Sequence, residues 1–567
     1  MMCFFVRSLL TKFLFFILSL FSVCAYAVDM PNAGSLQQQL DREKIKQIPR
    51  PLIKEEENKK AVSPNASQVS VLIKSVTFSG NTLLSNNQLN LIVKPYINQT
   101  LNFSDIQDMV AKVANYYRES GWLAKVYLPE QDVSEGNITI EIKEGKFSAI
   151  EFNGESNRVK KDFISNRILK QVPLGNFVNI KKIDRGVLLA NDLPGVKVAG
   201  SFAPGIEGAE SNLILNVTDE PLIDGVISTD NNGSKSTGVA RATANLNINS
   251  PFKYGDQFSA MLQKTDGNDY VSGTYSFPIA NDGLRGSLSA SHLNYEIVSQ
   301  SLKSLNAHGY SNNYGAQIFY PWLRSKYKNI YLIGGFDHKD LYNNASDTVQ
   351  SDYAVNVAQI NLLANQYDGV LAGAFSQGSI ALSDGNIDLN GSPNKSSVQQ
   401  TTKAINQFAK LRFSLNREQF IQPSWSLFGS FQGQVASTNL DGSEKFYLGG
   451  PQGVRAYPVN EGSGSHATLV NLEWRYYFNP NVTVKTFYDY GWVRVNVNNN
   501  FTGAPSLNEY SMKGAGLSLQ YRFNLGPSVD ITYSHRIGDN PNATAAGNDQ
   551  DGTKISDRVW INASIPF

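Results

Sequence analysis

The residues able to do chemistry in this chain are notable for their scatter. His292, His308, His338, His466 and His535 stand far apart, with no H-x-x-x-H or H-E-x-x-H pair to hold a metal. No G-x-S-x-G elbow presents a serine nucleophile, and no G-x-x-x-x-G-K-[ST] loop cradles a nucleotide. Neither an enzyme nor a cofactor site is expected. Asp551, Asp557 and other acids near the end read as surface charge, and the Asn-rich stretch NVNNNF (496–501) reads as an ordinary turn. What stands out is a different kind of group. Residues 449–457 read GGPQGVRAY, so that one arginine, Arg455, follows a run of glycines and a proline. Such a run bends sharply at little steric cost. It carries Val454, Arg455, Ala456 and Tyr457 at its tip.

A partner for that arginine is offered by TVKTFYDYGWVRV (483–495). Alternation puts Thr486, Tyr488, Tyr490 and Trp492 on one face and Lys485, Phe487, Asp489 and Gly491 on the other. Asp489 can accept a guanidinium as a two-pronged, charge-assisted pair, and Gly491 leaves room for a loop backbone to approach. Spacing alone leaves two arrangements open. Either Arg455 meets Asp489, or each charge stays in water.

The elements around these residues are legible. The chain has 567 residues, enough for several domains. It opens with Arg7 and Lys12 about an apolar run, Phe13 to Val23, and then Ala25-Tyr26-Ala27. That pattern is a secretory signal peptide, 1–27. A membrane anchor would need about 20 apolar residues, and Ser22-Val23-Cys24 is a poor lipoprotein signal. Cys3 and Cys24 are the only cysteines, so a chain cleaved after Ala27 has none. A net charge of +1 gives no bulk field for nucleic acid.

Residues 28–48 hold a polar helix, SLQQQLDREKIKQ, with Ser35 and Gln38 as its expected capping box and Leu36, Leu40 and Ile48 as a thin apolar stripe. So polar a helix must sit in water or in a polar cavity. Residues 49–70 read as a charged linker. Residues 71–146 follow the order β-α-α-β-β, with Ser104 and Gln107 expected to cap an amphipathic helix, and 147–220 repeat the order. From 221 to 567 strict alternation takes over. In 467–478, Thr468, Val470, Leu472, Trp474, Tyr476 and Phe478 oppose Asn471, Glu473 and Arg475. Apolar, aromatic faces opposed to charged ones, in segments of about ten residues, mark a transmembrane β-barrel rather than a soluble sandwich. At roughly 20 residues per strand and connection, this region makes about 16 antiparallel strands.

Taken together, the signal, polar helix, linker, two α+β units and barrel resemble the two-partner secretion outer-membrane transporters of the POTRA-barrel superfamily, which also holds the barrel-assembly insertases. The resemblance covers the whole mature chain. It rests on GWLAKVYLPEQDVSEGNITIEIKEGKF, STDNNGSKSTG, NINSPFKYGDQFSAML, YSFPI, GGPQGVRAYP and FYDYG. It implies a membrane β-barrel preceded by a plug helix and two periplasmic POTRA domains, in the outer membrane of a Gram-negative bacterium. It implies export, without ATP, of a large exoprotein of haemolysin, adhesin or contact-dependent inhibition toxin type. It implies that Arg455 enters the lumen on a long inward loop and pairs with Asp489, flanked by Phe487 and Gly491. The family's motif is usually Val-Arg-Gly-Tyr, and here Ala456 takes the glycine's place. The implied partners are the secreted client, outer-membrane lipid and lipopolysaccharide, and the barrel-assembly machinery, for which Phe567 is the C-terminal signal. An assembly factor for other barrels is the alternative; the plug helix and only two POTRA-like units speak against it.

Overall fold

The computed structural model describes residues 31–43, 70–205, 210–524 and 526–567. The expected signal peptide, 1–27, and nearly all of the expected linker lie outside them, as does Ile48. The first helix, α1 (Ala33–Glu43), is capped one turn earlier than its sequence indicates. Asn32 Oδ1 accepts from Ser35 N at 2.9 Å, and Ser35 Oγ accepts from Asn32 N at 3.0 Å. Ser35 is therefore the third helical residue, which closes the box, and not its cap, because Ala33 and Gly34 already fit the helix.

The first α+β unit holds β1 (Ser70–Leu72), β2 (Ser75–Ser79), α2 (Asn86–Val93), β3 (Thr100–Asn102), α3 (Phe103–Glu119), β4 (Ala124–Tyr127) and β5 (Asn137–Glu144). Its sheet runs β2-β5-β4, and β1 pairs separately with β3. Alternation along β5 turns Ile138, Ile140 and Ile142 inward against Met109, Val113 and Tyr117 of α3. Asn102 caps α3, with Asp105 answering, where Ser104 and Gln107 had been expected. The pairing of β3 with β1 ends at Asn102, which fixes where the helix starts. The Glu144 carboxylate closes this unit. It accepts from Thr82 N at 2.9 Å, Leu83 N at 2.8 Å and Tyr117 Oη at 2.9 Å, and also from the Thr82 hydroxyl.

Only Gly145 separates β5 from the second unit: β6 (Lys146–Asn153), α4 (Lys161–Leu169), α5 (Ile180–Asn191), β7 (Val196–Pro204) and β8 (Glu210–Asp219), with sheet order β6-β8-β7. Phe147, Ile164, Ile168, Leu213 and Leu215 fill its core. This unit is docked on the barrel. Asp192 accepts two hydrogen bonds of 2.8 Å from Arg324, and Arg185 donates to Pro321 O at 2.7 Å.

Sixteen antiparallel strands then close on themselves, from β9 (Ile223–Asp230) to β26 (Asp557–Pro566), each beside its neighbour in sequence. Lipid cannot satisfy a free strand edge, so closure is required. Strand lengths reach 21 residues in β16 (Thr348–Asp368), twice the expected ten. Outward positions are apolar: Leu472, Trp474, Leu517, Leu519, Val559 and Ile561 are all exposed on the wall. The turn after β10 (Arg241–Asn249) touches the second α+β unit, where Lys160 N donates to Lys253 O at 3.1 Å. By alternation, β19 (Trp425–Ala436) exits at the opposite end, so the connection 437–465 starts on the far side and folds back into the lumen. A two-residue pair, β20 (Phe446–Tyr447) with β21 (Ser463–Gly464), braces that connection.

Candidate functional site

The inward loop is a tight knot before it is a site. Val454 N donates to Leu448 O at 2.7 Å, Gly449 N to Glu461 O at 2.8 Å and Gly450 N to Tyr457 O at 3.1 Å. At Gly453 a Cβ would sit 1.7 Å from Leu448 O, so no other residue fits that crossing. The knot aims Val454, Arg455, Ala456 and Tyr457 at the wall formed by β22 (His466–Asn479), β23 (Val482–Arg494), β24 (Glu509–Arg522) and β25 (Ser528–Arg536).

Arg455 and Asp489 come together. Arg455 Nε donates to Asp489 Oδ2 at 2.9 Å, Nη2 to Oδ1 at 2.7 Å, and the arginine's own main-chain N to Oδ2 at 3.0 Å. Asp489 is wholly buried, and its remaining donor is Asn471 Nδ2 at 2.8 Å. The Phe487 ring lies beneath the guanidinium, 3.5 Å from ring centre to Cζ, a cation–π contact. A third prong was not read from the sequence: Arg455 Nη1 donates to Glu473 Oε1 at 2.8 Å. Glu473 also binds Arg475 at 2.7 Å, and Arg475 reaches Glu418 at 3.0 Å. This chain of alternating charges lines a lumen cavity of about 430 Å³ below the loop. Glu473 did share its predicted inward face with Asn471 and Arg475. Nothing in sequence, however, says that strand β22 lies beside the arginine.

Three expectations need correction. Gly491 makes room for side chains rather than backbone: a Cβ there would lie 2.9 Å from Leu448 Cδ2 and Val454 Cγ2. A second glycine on the wall, Gly514, makes room for the loop's own methyl group: a Cβ there would lie 2.7 Å from Ala456 Cβ. The methyl group that replaces the usual glycine at 456 is thus absorbed by a glycine across from it. Ala456 is fully buried, and its φ is not positive. Tyr457 packs under Arg536, with Cζ 4.4 Å from the ring centre. Asp551 is not surface charge: its carboxylate is nearly buried and faces Arg558 at 3.4 Å. Nor is 496–501 a free turn, since Asn498 and Asn439 exchange hydrogen bonds of 2.8 and 2.9 Å. Phe567 lies apart from the loop. It is exposed on the outer wall and exchanges main-chain hydrogen bonds of 3.0 and 3.1 Å with Gly225.

Helix α1 lies in the same lumen, seated partly on the same loop. Leu36 and Leu40 pack with Tyr295, Leu341 and Val355 of the wall. Ala33 N donates to Asn343 Oδ1 at 2.8 Å, and Arg42 donates to Tyr447 O of the loop at 2.7 Å. Lys339 bridges Asp41 of the helix (3.4 Å) and Glu444 of the loop (3.1 Å), and Lys410 pairs with Glu444 from the other side.

A POTRA-type periplasmic region, a sixteen-stranded barrel, a lumen helix and an arginine-locked inward loop define a protein-translocating outer-membrane barrel. Residues 209–521 match the family described as haemolysin secretion/activation protein ShlB/FhaC/HecB, and residues 71–145 match the ShlB-type POTRA domain. The chain belongs to that family and is an outer-membrane transporter of two-partner secretion, its POTRA region in the periplasm. It is 27% identical, over 87% of its length and 89% of the relative's, to the heme/hemopexin transporter protein HuxB of Haemophilus influenzae. It is 23% identical to the outer membrane transporter CdiB of Dickeya dadantii, over 71% of each chain. Among solved structures, CdiB from Escherichia coli shares the fold with a TM-score of 0.71 at 19% identity, over 95% of this chain and all of that one.

Proposed function

We propose that this chain exports one large exoprotein, of haemolysin, adhesin or contact-dependent inhibition toxin type, from periplasm to cell surface through its own lumen. The observation that carries the reading is the lumen itself. Its two occupants, α1 and the inward loop, are held by polar contacts and ion pairs that can be exchanged for those of a passing chain. The client is captured in the periplasm, where the edges of the POTRA sheets can accept an added strand with little demand on sequence. The helix leaves the pore on its linker. Arg455, paired with Asp489 against Phe487 and beside Gly491, fixes the loop as the lumen's inner gate. Transport needs no catalytic step and no nucleotide. Folding of the client outside makes its return unfavourable. Outer-membrane lipid and lipopolysaccharide surround the apolar wall, and Phe567 serves the barrel-assembly machinery as the signal for insertion.

The test is secretion of a co-expressed candidate client, the large exported protein encoded beside this one. With wild type, the client is expected at the surface or in the medium. With Arg455→Ala, export is expected to fall at least about tenfold while heat-modifiable gel migration shows a folded barrel. The substitution strands a buried carboxylate, which costs about 3–5 kcal/mol locally. If wild type exports nothing and its deletion depletes other outer-membrane barrels, the assembly-factor reading takes over.

A further inference from the structure

The main-chain carbonyl of Arg455 is held as closely as its guanidinium. It accepts two hydrogen bonds, from Ser534 Oγ at 2.7 Å and from Trp560 Nε1 at 2.8 Å. Ser534 is fully buried, and Trp560 and Arg455 are nearly so. A carbonyl has two lone pairs, and both are used. An indole has one polar atom, a donor, and a buried indole N–H needs an acceptor. On the inner wall at Trp560, that acceptor is the loop.

These donors lie on β25 and β26, the last two strands of the barrel. The loop grips the same hairpin elsewhere. Tyr457 stacks under Arg536 of β25, and Glu461 accepts from Asn540 at 3.2 Å, Asn542 at 3.0 Å and Gln550 N at 2.8 Å in the connection between the two strands.

Strand β26 also closes the barrel. Among the described residues its ladder with β9 covers five positions, Asn562–Pro566 against Val226–Asp230. Trp560 lies beyond that ladder. There the edge of β26 is covered by Asn231, in the STDNNG stretch that follows β9. Asn231 Oδ1 accepts from Ile561 N at 2.7 Å, its Nδ2 donates to Val559 O at 2.8 Å, and its own N donates to Ile561 O at 3.2 Å. One asparagine side chain stands where further ladder residues would otherwise pair.

We propose that Trp560 and Ser534 are positioning residues. They extend the loop's lock from Asp489 on β23 to the part of the closing strand that β9 does not ladder. A seated loop then holds that part in place. Displacing the loop strips Trp560 and Ser534 of their shared acceptor and leaves the outer half of β26 held by its ladder with β25 and, on the side of β9, by Asn231. The inference rests on the export reading only for why the loop would move.

The experiment uses the full-length protein in outer membranes. The only native cysteines, Cys3 and Cys24, precede the expected cleavage site, so one introduced cysteine can be labelled cleanly. Val454→Cys, at a fully buried loop position, reports the loop by its rate of reaction with a small maleimide. Hydrogen exchange at the Ile561 amide reports the closing strand. Trp560→Phe keeps an aromatic ring and removes the donor; Ser534→Ala removes the second. The double variant is expected to accelerate both readouts about tenfold, the effect of one or two lost hydrogen bonds, with heat-modifiable migration unchanged. Unchanged labelling at Val454→Cys would overturn the positioning role. Faster labelling with unchanged exchange at Ile561 would overturn the link to the closing strand. If wild type exports no client while both readouts respond, the export reading falls and the positioning role stands.

Discussion

At the scale of single residues, burial decides what a charge is for. Asp489 and Glu473, both nearly or wholly buried, gather three prongs of one guanidinium, and each prong fixes an angle as well as a distance. Lysine cannot reproduce that fork. Glu144, in the periplasmic region, shows the same principle in a form that pH can read. Burial works to raise its pKa, but the Thr82 hydroxyl, the Leu83 and Thr82 amides and the Tyr117 hydroxyl outweigh it and hold the carboxyl below its ordinary value of 4.5. Tyr117 is pushed the other way, first by burial and then by Glu144. A group whose pKa is lowered by folding contributes stability that is present above the ordinary value and is lost as pH falls through the native one. The first POTRA domain is therefore expected to lose protection of the α3 and β5 amides as pH drops below about 4.5. Glu144→Gln should flatten that dependence. Hydrogen exchange of the full-length protein across this range is the measurement. A wild-type protection profile independent of pH would contradict it. The inward face of Asp489 was legible because FYDYG alternates, and that of Glu473 because its strand does too; that the arginine reaches both, and that Ser534 and Trp560 hold its carbonyl, was not, because those contacts depend on how far the loop folds back along the wall.

At the scale of elements, the lumen helix and the inward loop form one latch. Lys339 faces Asp41 and Glu444 together, so the strand wall holds both occupants through one ammonium group. Asp41 is the more exposed partner, and such a pair contributes about 1 kcal/mol or less. Asp41→Asn is thus expected to raise the frequency of channel openings in planar bilayers by less than about tenfold. Lys339→Ala, which removes the wall's ammonium from Asp41 and leaves Glu444 with Lys410, should raise it further. Equal conductance traces for both variants and wild type would show that the helix is held by Leu36 and Leu40 and by the hydrogen bonds of Ala33 and Arg42, without the ion pair. The helices were legible in type but not in register. Both misplaced caps, at Ser35 and Ser104, arose because serine is a good cap wherever it occurs. The choice of Asn102 depends on where the pairing of β3 with β1 ends, and that of Asn32 on Ala33 and Gly34 already being helical.

At the scale of the whole molecule, the periplasmic and membrane parts are mechanically joined. Arg324 is nearly buried at the barrel rim, and Asp192 of the second α+β unit is its fork partner. Asp192→Ala strands that arginine, at a cost of about 3–5 kcal/mol to the docked arrangement. The expected outcome is faster limited proteolysis between residues 219 and 223 with an intact, heat-modifiable barrel, and weaker export of the client. Unchanged cleavage would mean that the joint is held by the packing of α5 against the barrel turns.

The class of this fold was set by local, repeating signals. A period of two in side-chain polarity, sustained from 221 to 567, has only one stable solution in lipid, because every strand edge must find a partner. A period near 3.6 between short strands marked the two α+β units just as directly. Those patterns need no knowledge of which segments become neighbours. The site is different. Sequence offered a glycine-bent arginine and several inward acids, with nothing to rank them beyond one resemblance. Which acids it meets, that a glycine at 514 makes room for Ala456, and that the last strand reaches back to hold the arginine's carbonyl all follow from shear and closure of the barrel. Those properties belong to the closed sheet as a whole, and no single strand encodes them.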